Sequence, residues 1–195
     1  MAVNLQKGQR ISLSKEHEGL DELLIGLGWD AAEGFRGRIL FSSKSIDCDA
    51  FAILLKDGKF KSRSDIIYYG NLVHVSQSVI HRGDNLTGVG EGDDEQITIV
   101  LSRVPKECDR ILICVNIFQA NERKQHFGMI RNAFMHIRDV KANVELCRYN
   151  LTNEYAKQTA VIFGELYRKN DEWKFSAIGQ GVVANSIEEI AEKYR

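Results

Sequence analysis

The feature that most constrains the fold is a set of apolar stretches with the periodicity of β-strands. Residues 96–102 (QITIVLS) alternate between polar and apolar side chains, with Val100 as the exception. A period of two is typical of a half-buried strand. Residues 110–118 (RILICVNIF) are apolar on nearly both faces and rich in β-branched side chains. This second pattern indicates a central strand of a layered core, because both faces of such a strand are covered.

Two short segments predict β-hairpins. Residues 51–55 run into Lys56–Lys59, where the Asp57-Gly58 pair tolerates the positive φ angles of a tight turn. Lys169-Asn170-Asp171 separates two further strand-like segments and predicts a second hairpin. Additional strands are predicted at residues 39–41, 66–69, 72–79, 144–149 and 160–163.

Two segments predict helices. Residues 127–134 place mostly apolar side chains at i, i+3, i+4 and i+7. Near the C-terminus, Ser186 and Glu189 have the spacing of a capping box, in which each side chain accepts from the other residue's backbone N–H. Many strands and few short helices predict an all-β fold, a β-sandwich of two mainly antiparallel sheets. Since no Pro/Ser linker or internal repeat is present, residues 1–195 are expected to form a single domain.

The composition gives no sign of a nucleic-acid or membrane protein. Lys and Arg number 26 against 27 Asp and Glu, a net charge of -1. No positive excess points to nucleic acid as a partner. The longest strictly apolar run, residues 50–55, is far shorter than the roughly 20 residues of a membrane span. The N-terminus lacks a signal-peptide core, so the chain is expected in the cytoplasm. Its four cysteines show no CxxC pairing and are expected to be buried, reduced thiols.

An acidic, glycine-rich segment at residues 83–95 carries the strongest functional signal. It holds five acids, four glycines and no Lys or Arg. Glycine lets a backbone fold tightly so that carbonyl oxygens converge, and Ca²⁺ takes about 6–8 oxygen ligands. The segment contains no His or Cys, which disfavours zinc and copper. The alternative is an ordinary acidic surface loop, but Asp93-Asp94-Glu95 would then repel one another without a local counterion.

Two further acidic elements are candidates for the same cation. In Asp47-Cys48-Asp49 the carboxylates stand at i and i+2, which on a strand face the same way about 6.6 Å apart. The alternative there is a solvated strand end. Asp30 follows residues 26–29 (GLGW), for which the alternative is a turn with a core tryptophan. The aspartates beside Cys48 are also expected to raise the pKa of its thiol when no cation is bound, which disfavours a nucleophilic thiolate.

With these motifs in place, the chain closely resembles the TerD family of tellurium-resistance and stress proteins. The resemblance covers almost the whole length. It is carried by residues 5–10 (LQKGQR), 26–30 (GLGWD), 47–50 (DCDA), 83–95 (GDNLTGVGEGDDE), 127–128 (FG) with 131–134 (RNAF), and 164–168 (GELYR) with 172–175 (EWKF). The GDNLTG…GDDE string is long and specific, so chance agreement is improbable.

The resemblance implies a calcium-binding β-sandwich with two Ca²⁺ ions close together and no established enzymatic activity. It implies a role in resistance to tellurite and other stresses, in a membrane-associated complex with sister proteins. A position at the inner face of the membrane would follow from that complex. The residues that match the family's acidic motifs, and are expected to supply ligands, are Asp30, Asp47, Asp49, Asp84, Asn85, Asp93, Asp94 and Glu95. Backbone carbonyls of residues 86–90 would complete the shells.

Two alternatives of other classes remain open from the sequence. A metal held by the acidic cluster could activate water for phosphoester hydrolysis, with His81 as the nearest candidate base. Against this, a lone histidine near a loop is more often structural, and no motif places a general acid or base. The second alternative is a protein-interaction module in which calcium is purely structural and an exposed sheet edge binds the partner.

Overall fold

A computed structural model describes residues 2–15, 17–31, 46–83, 92–150 and 155–195, with Asp30 and Ala31 described by their backbone alone. Within these residues twelve strands form two six-stranded sheets. The strands are β1 (Val3–Asn4), β2 (Arg10–Ser12), β3 (Glu22–Ala31), β4 (Cys48–Lys56), β5 (Ile66–Ile67), β6 (Val79–His81), β7 (Glu95–Val100), β8 (Cys108–Ile117), β9 (Ile130–Asp139), β10 (Val144–Asn150), β11 (Ala160–Lys169) and β12 (Glu172–Val182). Two short helices are α1 (Ala120–Arg123) and α2 (Ile187–Glu192).

The two sheets form a β-sandwich, which confirms the predicted fold class. The first sheet has the order β1-β10-β9-β3-β7-β6 and the second β2-β12-β11-β8-β4-β5. Every pairing between these strands is antiparallel except that of β1 with β10. In the described part of the chain, no helix has the length and apolarity needed to cross a membrane.

The core explains why β8 is apolar on both faces. Its Ile111 and Ile113 lie in the main core between the sheets, together with Ile97 and Ile99 of β7. Its Leu112 and Cys114 face outward into a second apolar cluster that includes α2 residues. The second sheet is therefore covered on both sides, and a strand in such a layer must be apolar at successive positions.

Both predicted hairpin turns are confirmed. Asp57 and Gly58 have φ angles of 53° and 70°, and the flanking Lys56 and Lys59 exchange backbone hydrogen bonds of 2.9 and 3.0 Å. Asn170 and Asp171, at φ 54° and 60°, join β11 to β12. Two successive positive φ angles are the signature of the turn that matches the twist of antiparallel strands.

The C-terminal helix is confirmed, with one change at its cap. Ser186 Oγ accepts from the Glu189 N–H at 3.2 Å, as the capping-box spacing predicts. The Glu189 carboxylate reaches back one residue further than expected and accepts from the Asn185 N–H at 2.7 Å. The cap therefore satisfies backbone donors on both sides of the helix start.

The helix predicted over residues 127–134 is wrong. Only a single 3-10 turn, Phe127–Met129, precedes strand β9. Asn132 has a φ of 53°, which an α-helix cannot accommodate, and β9 is paired with β3 on one side and β10 on the other. Backbone hydrogen bonds from two neighbouring strands outweigh a short helical spacing of apolar side chains.

Two predicted strands are shorter than expected. The strand predicted at residues 66–69 is reduced to β5, and that at residues 72–79 is irregular until β6 begins at Val79. Leu72, Val73 and Val75 of this irregular segment are exposed. The strand predicted at residues 39–41 lies outside the described residues. Residues 26–29 are part of β3, so the interpretation of GLGW as a turn is wrong, although Trp29 is buried as that interpretation required.

Candidate functional site

The carboxylates of Asp47 and Asp49 are buried at the start of β4. Asp47 immediately precedes the strand, and Asp49 lies opposite Asn116 of β8. Their exposed fractions are 7% and 2%. The alternative interpretation of this pair as a solvated strand end is therefore wrong. Arg123 Nη1 lies 3.8 Å from Asp47 Oδ2 and supplies one positive charge at this end of the sheet.

Asp94 ties the start of β7 to β3. Its backbone N–H donates to the Leu27 carbonyl at 2.7 Å, and its Oδ2 accepts from the Trp29 N–H at 2.9 Å. Because both contacts are to the β3 backbone, they fix the direction in which the chain enters β7.

Glu95 reaches from the first sheet into the second. Its side chain is buried, and its Oε2 accepts a hydrogen bond from the Ala50 N–H of β4. His81 Nε2 lies 3.1 Å from the Ala50 carbonyl oxygen and 3.6 Å from Glu95 Oε2. Both backbone groups of Ala50 are thus bound by side chains, at a point where β4 extends beyond its short partner β5.

The charges of Asp47, Asp49, Asp94 and Glu95 act on the thiol of Cys48. Burial raises the pKa of Cys48 well above its ordinary value, and the negative charges of its acidic neighbours raise it further; these are Asp49, Glu95, Asp47 and Asp94. The neutral thiol predicted from the sequence is confirmed. Acids from residues 47–49 and 94–95, far apart in the chain, therefore lie near enough to Cys48 for their charges to act on it.

All four cysteines are free and buried, as expected. Burial raises the pKa of Cys108 to about 11 and that of Cys147 to about 12. Burial likewise raises the pKa of Cys114, so burial opposes the thiolate form at all four cysteines.

Asp93 points away from this cluster, onto the outer face of the first sheet. Its Oδ1 lies 2.6 Å from His136 Nε2, and its Oδ2 accepts from Gln96 Nε2 at 3.0 Å. Burial opposes the charge of Asp93, but these hydrogen bonds outweigh burial and lower its pKa. The expectation that the triplet 93–95 lacks a local counterion is wrong for this residue. His136 lies two residues beyond the segment predicted as a helix, and the sequence analysis does not single it out. The alternation of a strand places it on the same face as Phe134.

The two glycines of the GLGW segment provide the room for this contact. Gly26 lies opposite His136, and Gly28 opposite Phe134, in the pairing of β3 with β9. A Cβ at Gly26 would stand 2.2 Å from His136 Nε2 and 2.3 Å from Asp93 Oδ2, and one at Gly28 would stand 2.5 Å from the Phe134 ring. Asp93, His136 and Phe134 therefore lie directly against the β3 backbone, in the space that side chains at positions 26 and 28 would occupy.

Glu145 extends the network around His136 and makes it sensitive to acid. Arg148 donates to both carboxylate oxygens of Glu145 at 3.0 and 2.9 Å, and these hydrogen bonds lower the pKa of Glu145 below its ordinary 4.5. A lowered pKa in the folded state stabilises the fold above the unfolded-state pKa, and the stabilisation is lost as the pH falls through the folded-state value.

We expect Glu145→Gln to lower the free energy of unfolding by about 1 kcal/mol at pH 7. The difference from wild type should shrink as the pH falls below 4.5, because Glu145 then becomes protonated in both folded and unfolded chains. Urea unfolding between pH 3 and 7 measures it, with the exposed Glu18→Gln as the control. A difference that is constant across this pH range would contradict the prediction.

The sequence matches a known protein family over almost its whole length. The family model described as "TerD domain" matches residues 1–194. The chain belongs to the TerD family. It is 46% identical to "Stress response protein SCP2" of Bacillus subtilis (strain 168), with 100% of each chain covered. It is 43% identical to "Tellurium resistance protein TerD" of Serratia marcescens, with 100% of this chain and 97% of that one covered.

A solved structure from the same family shares the fold. It is the crystal structure of a homologue of telluride resistance protein (TerD) from Streptomyces coelicolor A3(2). The TM-score is 0.69 at 19% identity, and the alignment covers 91% of this chain and 99% of that one. At this identity the likeness concerns the sandwich alone.

Five of the eight residues expected to supply ligands have described side chains. The charges of Asp47, Asp49, Asp94 and Glu95 act on Cys48, whereas Asp93 lies on the outer face with His136. Asp84 and Asn85 lie outside the described residues, and the side chain of Asp30 is not described. Among the described residues, no three His, Cys, Asp or Glu side chains are grouped closely enough to hold a metal ion by themselves.

Proposed function

We propose that this chain is a non-catalytic Ca²⁺-binding protein of the TerD type that acts in tellurite and general stress resistance in the cytoplasm. The proposal rests on membership of the TerD family and on the names of its relatives, which are resistance and stress-response proteins. It also rests on the convergence of acidic side chains at one end of the sandwich.

The observation that carries the calcium assignment is the group of carboxylates around Cys48. Asp94 and Glu95 at the start of β7, and Asp47 and Asp49 at the start of β4, all lie near enough to the buried Cys48 thiol for their charges to raise its pKa. A set of oxygen donors suits a hard cation, and crowded carboxylates favour Ca²⁺ over Mg²⁺, which keeps more of its water. Asp30, Asp84, Asn85 and Asp93 are the remaining proposed ligands. The bound ions would offset the mutual repulsion of these charges and so stabilise the fold.

Calorimetric titration of chelator-stripped protein tests the proposal. We expect two Ca²⁺ per chain at about micromolar affinity or tighter, little response to Mg²⁺, and a higher melting temperature in calcium. Absence of both heat and stabilisation would overturn the calcium assignment and remove the main support for the functional proposal.

Charge removal in the triplet 93–95 is expected to abolish binding at one site at least. The variant Asp93→Asn/Asp94→Asn/Glu95→Gln keeps the side-chain shapes but removes three negative charges. Asp171→Asn is the matched control, because Asp171 lies in the β11–β12 turn, where asparagine also tolerates positive φ. If the triple variant takes up two Ca²⁺ with wild-type affinity, the assignment of this triplet is wrong.

The hydrolase alternative gains no support from the position of His81. Its Nε2 lies at hydrogen-bond distance from the Ala50 carbonyl, and its Nδ1 accepts from the Gly83 N–H at 3.2 Å. Since both ring nitrogens are occupied by backbone groups, His81 acts as a link between β6 and β4. Release of phosphate from a phosphoester by the purified calcium-loaded protein would revive the alternative.

We further propose that the chain works with sister proteins of the TerD family in a complex at the inner face of the membrane. The proposal rests on the family alone. Calcium would order the loops of the sandwich, and the exposed sheet edge would contact the partner. Co-purification of tagged protein with TerD-family partners, lost upon chelation of calcium, is the expected result; unchanged co-purification would separate partner binding from calcium.

A further inference from the structure

A pocket of about 280 Å³ opens on the outer side of the second sheet. It lies between the segment after β5, the chain that continues from β8 into α1, and the start of α2. The lining residues that matter for its chemistry are Tyr68, Tyr69, Asn116, Phe118, Glu122 and Glu188. At about 30 Å³ for each water molecule, this volume corresponds to roughly nine waters, which is the size of a small metabolite.

One wall of the pocket is an aromatic corner. The rings of Tyr68 and Tyr69 have centroids 5.1 Å apart and cross at 77°. Tyr69 and Phe118 are 6.1 Å apart and cross at 86°. Three rings that meet edge to face present ring faces in different directions, and ring faces attract cations.

The charges around the pocket favour the same class of ligand. The described lining residues include Glu122 and Glu188 but no Lys, Arg or His. Glu188 is paired with Arg63, and the nearby Arg123 is paired with Asp47 and stacked on Phe118, 4.9 Å from its ring centroid. Both neighbouring arginines thus already have acidic partners, which leaves Glu122 as a negative charge on the pocket wall.

Asn116 adds an acceptor. Its Oδ1 is buried and receives no hydrogen bond from the described residues. A buried amide oxygen without a donor is costly, so a ligand with N–H groups would gain by binding it. Because the oxygen itself is not exposed, the Asn116 side chain must turn toward the pocket to accept from such a ligand.

We propose that this pocket binds a small organic cation with N–H donors, of the primary alkylammonium class. The aromatic corner and Glu122 attract the positive charge, and Asn116 Oδ1 accepts a hydrogen bond from the ammonium group. An anion finds no basic residue among the described lining residues, and a neutral alcohol gains nothing from the ring faces.

Titration with n-butylammonium, followed by NMR shifts of the tyrosine and asparagine signals and by calorimetry, tests the proposal. We expect saturable binding of n-butylammonium and none of butyrate or n-butanol at equal concentration. Trimethylbutylammonium, which has the charge but no N–H, should bind about tenfold more weakly, because a hydrogen bond between a charged donor and a buried acceptor is lost. No saturable binding of n-butylammonium, or equal binding of n-butanol, overturns the proposal.

Variants locate the binding. Asn116→Leu should remove the preference for n-butylammonium over its trimethyl derivative. Tyr69 is exposed, so its replacement should leave the fold intact. Tyr69→Leu should weaken the binding of n-butylammonium about fivefold. Glu122→Gln should weaken the binding of n-butylammonium about threefold. Glu107 is exposed and does not line the pocket, so Glu107→Gln should have no effect. Wild-type binding in both Tyr69→Leu and Glu122→Gln overturns the proposed location.

The amine site borders the proposed calcium ligands, because Asn116 lies opposite Asp49 and Arg123 contacts both Asp47 and Phe118. Amine titrations are therefore run both in excess calcium and in chelator, and calcium binding is measured separately. Loss of amine binding with calcium binding intact overturns only the pocket proposal, and the reverse outcome overturns only the calcium assignment.

Discussion

Glu95→Ala is expected to lower the free energy of unfolding by about 4 kcal/mol. Glu95 lies in the interior with 2% of its surface exposed, and its carboxylate accepts from the Ala50 N–H beside His81. Truncation leaves that N–H and the histidine without their acidic partner and also opens a cavity. A buried donor without an acceptor and the lost packing both oppose folding.

Urea unfolding in excess chelator measures this effect without any contribution from calcium. Glu95→Gln should cost less than Glu95→Ala, because the amide oxygen can still accept from Ala50. Glu22→Ala is the control. Glu22 lies on neighbouring β3, is partly exposed and pairs with Arg82 at 3.8 Å, so its loss should change stability by less than about 0.5 kcal/mol. Equal costs for Glu95→Ala and Glu22→Ala would contradict the role assigned to Glu95.

Gly26→Ala is expected to cost about 2–3 kcal/mol. The added methyl group would stand 2.2 Å from His136 Nε2 and 2.4 Å from Asp93 Cγ, so both side chains must leave their positions on the β3 backbone. Their displacement also breaks the 2.6 Å contact between Asp93 and His136. A single methyl group therefore removes a polar pair from the outer face of the first sheet.

The same substitution in a variant that lacks both neighbouring side chains distinguishes the steric clash from any intrinsic effect of alanine in a strand. In a chain that already carries Asp93→Ala and His136→Ala, Gly26→Ala should cost less than about 1 kcal/mol, because the space is then open. The same cost in both backgrounds would show that the contact with Asp93 and His136 is not the cause. Thermal or urea unfolding of the four proteins completes the cycle.

The strands that could be predicted from the sequence are those whose pattern has one physical cause. Residues 110–118 are apolar on both faces because both faces of β8 are covered, and this pattern is independent of which strands pair. The Asp57-Gly58 and Asn170-Asp171 turns and the Ser186 cap are local, since their hydrogen bonds close within a few residues. Local chemistry of this kind is visible in the residues themselves.

The helix predicted around Phe127 shows that a local apolar pattern misleads when it fits more than one type of element. Its apolar spacing also fits a strand, and β9 forms because β3 and β10 provide hydrogen-bond partners on both sides. Those partners lie far away in the sequence. The role of Gly26 is hidden for the same reason, because the side chains that occupy its space come from β9 and from the start of β7.

For the candidate site, the sequence by itself determined which residue types are present: the aspartates on either side of Cys48, the acidic triplet 93–95 and the absence of basic residues from segment 83–95. Only the tertiary structure decided where the acids point. It brings Asp94 and Glu95 to the start of β4 and sends Asp93 to His136 on the opposite face. Asp93 and Asp94 precede β7, so the alternation of a strand does not fix the directions of their side chains. Each acid's partner is set instead by packing between segments that are distant in the sequence.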